Sequence, residues 1–332
     1  MPESSISRLS NQYHSWIRTH PNAAQDFRAV IEDLLNDAGV VFDRVSARVK
    51  SWPSLKTKAK KKHKSGELIY PSPWEDIHDI VGVRVTVFHS TAIPDAIRVL
   101  ADAFHVIRSV DKAAETRISG GFGYGSHHLV VQAVASSEIA EELADYLDTH
   151  FEIQIRTVLQ HAWAEFEHDI RYKQGMAAPS PQMDRLFTLA AGLIELADQQ
   201  FDEIAALNSP KHQTDDNVEL NSSTLPGILM MLLENRFPLS RSDHYSWLTE
   251  LLDLNGINTL AQLQELLTED AIAQVHQAMN YRFPPGHVRL LDDLLLFSFG
   301  EEHIAATSST GNRKDRKKQL ENRLRKIRHS SS

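Results

Sequence analysis

The sequence predicts an α/β domain followed by a smaller all-helical domain, and three observations support this order. Helical and strand patterns are interleaved from about residue 24 to 205, which is typical of an α/β domain. Residues 207–222 are polar and interrupt the pattern, as a linker does. From 224 to 306 Leu-rich helical patterns follow, without a strand candidate. The predicted divisions are an N-terminal segment (1–21), the α/β domain (22–206), a linker (207–223), the helical domain (224–306) and a basic tail (307–332). The tail is expected to be disordered, with 314–328 forming a helix only on a polyanion.

The elements of the α/β domain follow from apolar periodicity. Residues 26–49 repeat apolar side chains at the helical period, which predicts one long amphipathic helix ending before Trp52-Pro53. IVGVRVTVF at 80–88 is short and β-branched, which is typical of a buried strand. The other predicted elements are a helix from Pro94 to about 103, strands at 104–110 and 128–134, a helix at 137–147, a strand at 150–157 and a helix at 157–173.

Composition limits the classes of function. The 332 residues are 42% hydrophobic and include no cysteine, which excludes disulfides and thiolate chemistry, and no apolar run reaches the length of a membrane span. We therefore expect a cytoplasmic protein without a membrane partner. The net charge of −9 is unevenly distributed, because residues 313–328 carry +7 and six lysines lie between 56 and 64. This pattern favours one localised anionic ligand over a nucleic-acid coat.

The stretch HFEIQIRT at 150–157 is the most informative strand. Alternation sends three apolar side chains to one face and three polar ones to the other. The apolar set is Phe151, Ile153 and Ile155, and the polar set is Glu152, Gln154 and Arg156. The polar row is either an ordinary solvated sheet face or the floor of a site.

Two other groups of charged residues suit an anionic ligand. The first combines cations and a hydroxyl after the predicted first helix: Arg48, Lys50, Ser54 and Lys58. They would hold a polyphosphate, or form a solvated basic surface. In the second group, Asp79 lies where the chain enters the strand at 80–88, and Arg84 lies inside that strand. A buried arginine needs an anion, which is either a structural carboxylate or a ligand phosphate.

Two weaker patterns lie nearby. The loop GGFGYGSHH places Tyr124 among glycines, where its ring is available to stack on a base, although the loop is neither a Walker A nor a Rossmann sequence. His161, Glu165 and His168 share a helix face and resemble metal ligands. Their spacing is not HExxH and no further ligand is evident, so zinc is the less favoured interpretation.

Four motifs in this order resemble the synthetase domain of RelA/SpoT-type alarmone synthetases. They are RVKSWPSLKTK (48–58), DIVGVRV (79–85), FGYGSHH (122–128) and FEIQIRT with WAEFEH (151–168). The resemblance covers roughly residues 22–200 and implies a mixed β-sheet flanked by helices, of nucleotidyltransferase type. Such enzymes transfer the β,γ-pyrophosphate of ATP to the 3′-hydroxyl of GDP or GTP. They release AMP and form (p)ppGpp, the signal of the stringent response.

The resemblance also implies a role for each matching residue. On the ATP side it implies Arg48, Lys50, Ser54, Lys58 and Arg84. On the acceptor side it implies Tyr124, Ser126, His128, Gln154, Arg156, Glu167 and His168. Asp79 and Glu152 would bind Mg²⁺, the expected cofactor, and Glu152 would also help to activate the 3′-hydroxyl. Mg²⁺ suits two carboxylates beside substrate phosphates.

One motif departs from the family pattern. Where the family has Gly-Tyr-Arg-Ser-Leu-His, this chain has Gly125 in place of the arginine and His127 in place of the leucine. The lost cation leaves the choice among GMP, GDP and GTP open, with His127 and Arg117 as candidates to replace it. Only about 20 residues precede the resemblance, so we expect synthesis without a hydrolase domain.

Two alternative functions remain. A toxin branch of the same fold transfers pyrophosphate from ATP to the 3′ end of tRNA, and the altered loop and basic tail are compatible with it. The overall acidity argues against a broad RNA surface. The other alternative is a non-catalytic nucleotide-binding module, against which the presence of both Asp79 and Glu152 argues. Expected partners are the nucleotides, a second copy of the chain in a homo-oligomer, and RNA or another polyanion on the tail.

Overall fold

The computed structural model describes residues 3–112, 125–134, 139–147, 149–173, 180–207, 220–234, 236–313 and 315–330. The chain divides into two compact units. We call Met1–Glu32 with Phe42–Glu203 the sheet unit, and Asp33–Val41 with Ile204–Ser332 the helical unit. Residues 1–21, set apart in the sequence analysis, contribute helix α1 (Glu3–Thr19) to the sheet unit.

A five-stranded mixed sheet forms the centre of the sheet unit. Its strands are β1 (Arg44–Val49), β2 (Val81–Val87), β3 (His105–Asp111), β4 (His127–Gln132) and β5 (His150–Thr157). They are ordered β1-β2-β5-β4-β3, with β2 and β5 parallel and the other pairs antiparallel. The remaining helices are α2 (Ala23–Asp37), whose last turn belongs to the helical unit, α3 (Trp52–Ala59), α4 (Pro73–Asp76), α5 (Ala92–Ala103), α6 (Val158–Lys173) and α7 (Pro181–Leu207). The predicted mixed sheet with accompanying helices is confirmed.

The apolar face of β5 lies in the core of the sheet unit. Phe151, Ile153 and Ile155 are all fully buried, as the alternation in HFEIQIRT predicts. The ring of Phe151 packs 4.4 Å from that of Phe27 on α2 and 5.1 Å from that of Phe104, measured between centroids. This packing fixes the register of β5, so its polar residues are held on the opposite face.

The predicted helix over 26–49 is wrong in its second half. Helix α2 ends at Asp37, and the chain then turns at Gly39, whose φ of +68° favours glycine. Residues 44–49 form β1, in which Val45 pairs with Val85 of β2. Its alternating valines satisfy both a helical and a strand period over so short a stretch, and pairing with β2 decides between them.

Two further local predictions need correction. Of the helix predicted over 137–147, the described part (139–147) forms turns and a 3₁₀ helix, Ala144–Tyr146. The Tyr146 hydroxyl donates to Asp26 at 2.7 Å, and this contact with α2 outweighs local helix propensity. Trp52-Pro53, interpreted as a helix end, instead opens α3, because proline is favoured in a first helical turn.

Within the described residues, the helical unit consists of seven helices together with the last turns of α2 and α7. The helices are α8 (Leu225–Leu232), α9 (His244–Leu254), α10 (Leu260–Leu266), α11 (Glu269–Met279), α12 (His287–Phe299), α13 (Glu301–Thr307) and α14 (Arg316–Ser330). Its core is rich in leucine, with Leu291, Leu294 and Leu295 of α12 fully buried. Across the described ranges of both units, no helix combines the length and apolarity that crossing a bilayer requires.

The prediction of a disordered tail at 307–332 is wrong. Helix α14 buries Leu320, Leu324 and Ile327 against the rest of the helical unit. It also buries Arg316 and Arg323, both of which form ion pairs with Asp292. Composition alone suggested disorder because the sequence does not show that two of the cations meet buried carboxylates.

Candidate active site

The strand register gathers the polar residues on one face of the sheet. Glu152 of β5 lies opposite Gly82 of β2, and Gln154 lies between Arg84 on one side and His128 on the other. Residues directly opposite each other in neighbouring strands share a face. The polar face therefore comprises Arg44, Ser46 and Arg48 from β1, Arg84 and Thr86 from β2, Glu152, Gln154 and Arg156 from β5, and His128 from β4.

Asp79 lies just before β2, between two lysines. Its Oδ2 is 2.9 Å from the Nζ of Lys50 and 3.0 Å from the Nζ of Lys58. Its Oδ1 is buried and has no hydrogen-bond partner. Burial favours the neutral acid, but hydrogen bonds from the two lysines outweigh it, so the pKa of Asp79 lies below its ordinary value. Asp79 is thus an ionised carboxylate with one oxygen available inside the site.

Glu152 is the second carboxylate of the face. Its Oε1 is 2.9 Å from the Nδ1 of His128, and its Oε2 accepts a hydrogen bond of 3.2 Å from Gln154. Burial raises the pKa of Glu152 and the charge of Asp79 raises it slightly further. The contacts with His128 and Gln154 outweigh both, so the pKa lies below its ordinary value. Glu152 pairs with Gly82, three residues after Asp79, so the two carboxylates lie at the same end of the β2–β5 pair.

Two arginines meet beside these carboxylates. Glu165 of α6 places its Oε1 2.9 Å from Nη1 of Arg84 and 3.9 Å from Nη2 of Arg156. The Nε atoms of both arginines are buried without a hydrogen-bond partner. Burial, followed by the charge of Arg84, lowers the pKa of Arg156 to about 10, and Glu165 only partly opposes this. One carboxylate therefore serves two guanidinium groups, which leaves an excess of positive charge suited to an anion.

The carboxylate pair fits Mg²⁺ better than zinc. Asp79 offers a buried oxygen without a partner, and Glu152 is ionised beside it. Mg²⁺ is usually held by one or two protein carboxylates together with substrate phosphates. Within the described ranges, no three His, Asp or Glu residues form a metal-ligand group, and this includes His161, Glu165 and His168.

Comparison with known proteins identifies the segment that carries this face. Residues 47–177 match a protein-family profile described as the region found in RelA/SpoT proteins. These 131 residues are therefore similar to that region. The segment includes the second half of β1 and all of β2 to β5, and therefore seven of the nine residues of the polar face.

The chain is also similar to individual proteins. GTP pyrophosphokinase YwaC of Bacillus subtilis is 29% identical over 147 residues, which is 44% of this chain. The alignment spans 65% of that relative's length, which is just under two thirds. Small alarmone synthetase 1 of Bacillus subtilis is 22% identical with a TM-score of 0.46, covering 59% of this chain and 97% of its own. The GTP pyrophosphokinase family protein of Streptococcus pneumoniae also gives 0.46 at 22% identity, covering 60% and 98%.

The other predicted site residues of the RelA/SpoT region are less closely gathered. Arg48 is exposed on β1, and Ser54 is exposed on α3, where its Oγ accepts a hydrogen bond from Ser51. Glu167 and His168 lie on α6 just beyond Glu165. Tyr124 lies outside the described residues, as does Arg117. Arg84 and Arg156, expected on the donor and acceptor sides respectively, interact with one another through Glu165.

Two supports of the site were missed in the sequence. The hydroxyl of Tyr13 on α1 donates to the carbonyl of Lys50 at 2.9 Å. The two residues are far apart in the sequence, and no sequence pattern predicts their contact. At the end of β5, Thr157 and Gln160 exchange hydrogen bonds that begin α6, and Thr157 also donates to buried Asp198 at 2.8 Å. The T-x-x-Q spacing is a capping box and was a readable signal.

Proposed function

We propose that this protein is an alarmone synthetase that transfers the β,γ-pyrophosphate of ATP to the 3′-hydroxyl of GDP or GTP, with GMP as a further candidate acceptor. The products would be AMP and (p)ppGpp, which connects the protein to stringent-response signalling. One observation carries the proposal: within the segment that matches the RelA/SpoT region, Asp79 and Glu152 lie at the same end of the β2–β5 pair, and Lys50 and Lys58 accompany Asp79.

The donor side is proposed to bind ATP through positive charge. Lys50 and Lys58 both form ion pairs with Asp79. Their ammonium groups are therefore already held in place, and an approaching phosphate would bind to them. Arg84 adds a guanidinium, which binds phosphate through paired N–H groups. Arg48 and Ser54 are exposed and accessible to the nucleotide. These groups would position the polyphosphate, which is the main task in phosphoryl transfer.

The reaction is proposed to proceed by attack of the acceptor's 3′-oxygen on the β-phosphorus of ATP. A bond forms between these atoms, and the bond from the β-phosphorus to the oxygen shared with the α-phosphate breaks, so AMP leaves with that oxygen. Glu152 is ionised and would accept the proton of the 3′-hydroxyl. Arg84 and Arg156 would stabilise the negative charge on the phosphate oxygens. Mg²⁺ held by Asp79 and Glu152 would supply further charge neutralisation.

The acceptor side is proposed to use five of the residues that the resemblance assigns to it, namely Tyr124, Gln154, Arg156, Glu167 and His168. Gln154 and Arg156 project from β5 next to Glu152, and Glu167 and His168 extend from α6. Tyr124 would stack on the guanine. Gly125 supplies no cation where the family has arginine, so the number of acceptor phosphates remains open to experiment.

A transfer assay tests the proposal directly. The purified chain is incubated with Mg²⁺ and γ-labelled ATP in parallel with GMP, GDP, GTP and bulk tRNA, and the products are separated by chromatography. We expect label on a guanine nucleotide with equal release of AMP, and none with Glu152→Gln. Glu203→Gln, an exposed change on α7, is the matched control and should retain activity.

The other outcomes of this assay point elsewhere. Label on tRNA would establish the tRNA pyrophosphokinase alternative and contradict the proposed acceptor. Absence of transfer to every acceptor would contradict enzymatic function and favour a nucleotide-binding module. A homo-oligomer and an RNA contact remain predictions, and the exposed outer side of α14, which includes Lys317, Arg325 and Arg328, is where such a polyanion would bind.

A further inference from the structure

A chain of three side chains leads to the proposed base. The Oγ of Ser126 is 2.7 Å from the Nε2 of His128, and the Nδ1 of His128 is 2.9 Å from the Oε1 of Glu152. About a fifth of each of the His128 and Glu152 side chains is exposed. Both ring nitrogens of His128 are therefore engaged within the protein.

The ionised carboxylate of Glu152 sets the direction of its hydrogen bond with His128. Glu152 is a carboxylate and can only accept, so the Nδ1 of His128 must donate to it. The Nε2 of His128 and the hydroxyl of Ser126 share the second hydrogen bond, at 2.7 Å. Serine, histidine and carboxylate thus form one continuous hydrogen-bonded chain.

Backbone pairing holds this arrangement in place. His128 lies opposite Gln154, and Leu129 lies opposite Ile153, so the ring of His128 projects from β4 beside Glu152 on β5. Gln154 holds the second oxygen of Glu152 at 3.2 Å. Both oxygens of the carboxylate are consequently fixed by neighbours, and its rotation about the side-chain bonds is restricted.

We propose that Ser126 and His128 are positioning residues that hold Glu152 in one orientation towards the acceptor's 3′-hydroxyl, and that they are not ligands of the acceptor nucleotide. This inference rests on the proposed function. It differs from the roles that the resemblance assigns to the two residues. The reason is geometric, because His128 has no ring nitrogen left for a nucleotide once Ser126 and Glu152 are bound.

Matched variants of His128 separate the two roles. In His128→Asn the amide nitrogen occupies the place of Nδ1 and can still donate to Glu152, whereas His128→Leu has a similar size and no donor. We expect His128→Leu to lower kcat about 10- to 100-fold with the acceptor KM changed less than about twofold. His128→Asn should recover most of kcat, and Ser126→Ala should lose about two- to fivefold, as removal of one neutral hydrogen bond does. A raised acceptor KM with retained kcat would instead make His128 an acceptor ligand and overturn the proposal.

A second readout is independent of activity. The ¹⁵N resonances of the His128 ring, assigned by comparison with His128→Asn, should show a protonated Nδ1 in the nucleotide-free protein. Ser126→Ala should shift Nε2, and Glu152→Gln should shift Nδ1. A proton on Nε2 and none on Nδ1 would overturn the proposal, whatever the activity. If the wild-type protein transfers pyrophosphate to no guanine nucleotide, the proposed function fails. The proton on Nδ1 then decides by itself whether His128 holds Glu152. Thermal melting of each variant identifies loss of folding.

Discussion

The two units differ in how completely the buried charged groups compared below are paired. In the helical unit both oxygens of Asp292 are paired, Oδ1 with Arg316 at 2.6 Å and Oδ2 with Arg323 at 2.9 Å. In the sheet unit Asp79 has a buried oxygen without a partner, and the Nε atoms of Arg84 and Arg156 also lack one. An unsatisfied buried charge is costly, so proteins rarely retain one without a use. The paired charges around Asp292 therefore form a structural network, whereas the unpaired atoms of Asp79, Arg84 and Arg156 suit a ligand.

The network in the helical unit extends over several elements. Asp293 accepts from Arg323 at 2.6 Å, from Arg289 at 2.6 Å and from the hydroxyl of Tyr281. Asp37, in the last turn of α2, pairs with Arg289 and Arg313, and its pKa is lowered to about 2. There the charges of the two arginines outweigh the burial of the carboxyl. These contacts join α2, α12 and α14 by charge as well as by apolar packing.

The largest expected effect comes from breaking the paired network. Asp292→Asn should lower the free energy of unfolding of the helical unit by about 3–5 kcal/mol, because it leaves Arg316 and Arg323 buried without their shared carboxylate. Hydrogen exchange followed by mass spectrometry should show faster exchange in α12 and α14. Glu321→Gln, on the exposed side of α14, is the control and should leave exchange unchanged. Equal protection in Asp292→Asn and wild type would show that the network contributes little.

A histidine in the same unit makes its stability depend on pH. Burial lowers the pKa of His287 to about 4, although a backbone contact with Phe237 raises it slightly. The unfolded chain therefore binds a proton below about pH 6.5, and the folded chain does so only near pH 4. The free energy of unfolding should fall by about 3 kcal/mol as the pH falls from 6.5 to 4.

Denaturant unfolding across this pH range checks the prediction. His287→Gln cannot titrate and should flatten the decline in this window, whereas His329→Gln, at an exposed position of α14, should reproduce the wild-type slope. A slope that His287→Gln leaves unchanged would assign the effect to another group. Asp37 acts at lower pH, because its contribution is complete above its unfolded pKa of about 3.8 and is lost as the pH falls through about 2.

In the sheet unit, removing a charge should affect activity more than stability. Asp79→Asn is expected to lower pyrophosphate transfer at least about 100-fold, because the proposed metal loses a carboxylate ligand. Binding of Mn²⁺ in the presence of ATP, followed by electron paramagnetic resonance, should weaken in parallel. Asp184→Asn, exposed on α7, serves as the control. Undiminished Mn²⁺ binding in Asp79→Asn would remove Asp79 from the metal site.

The smallest effect is expected at Glu165. Its side chain is 57% exposed, and it occupies the two arginines that a phosphate would use. Glu165→Gln should lower the KM for the nucleotide bound there about two- to fivefold, because a competing carboxylate is removed, and high salt should diminish the difference. A raised KM would mean that Glu165 contacts the nucleotide productively instead of competing with its phosphate.

The sequence predicted the elements whose pattern is unambiguous. Strands β2 and β5 have alternation or β-branched runs that fit only a strand, so Asp79, Arg84 and Glu152 were placed correctly relative to them. The stretch 44–49 was missed because six residues fit both periods, and only pairing with β2 selects the strand. Helix α14 was expected only on a polyanion, because a basic composition conceals the two arginines that it buries within the helical unit. The paired aspartates in LLDDLLLF were the available signal, since carboxylates inside an apolar run require cations.

The sequence predicted the types of residue in the candidate site, but not which side chains would form hydrogen bonds and ion pairs with one another. Sequence motifs indicated which residue types would gather, but not that Arg84 and Arg156 would share Glu165 or that His128 would bind Glu152. Such pairings depend on strand register and on side-chain conformation, which vary by ångströms between sequences with the same motif.

The contacts of Tyr13 and Asp198 show that residues outside the matched segment support the candidate site. Tyr13 secures the backbone of Lys50, and Asp198 secures Thr157, yet both lie outside the matched residues 47–177. The recognisable segment is thus smaller than the part of the chain that acts as one folding unit. A fragment cut at the borders of recognition would retain the residues that face the nucleotides and lose two of the contacts that hold them in register.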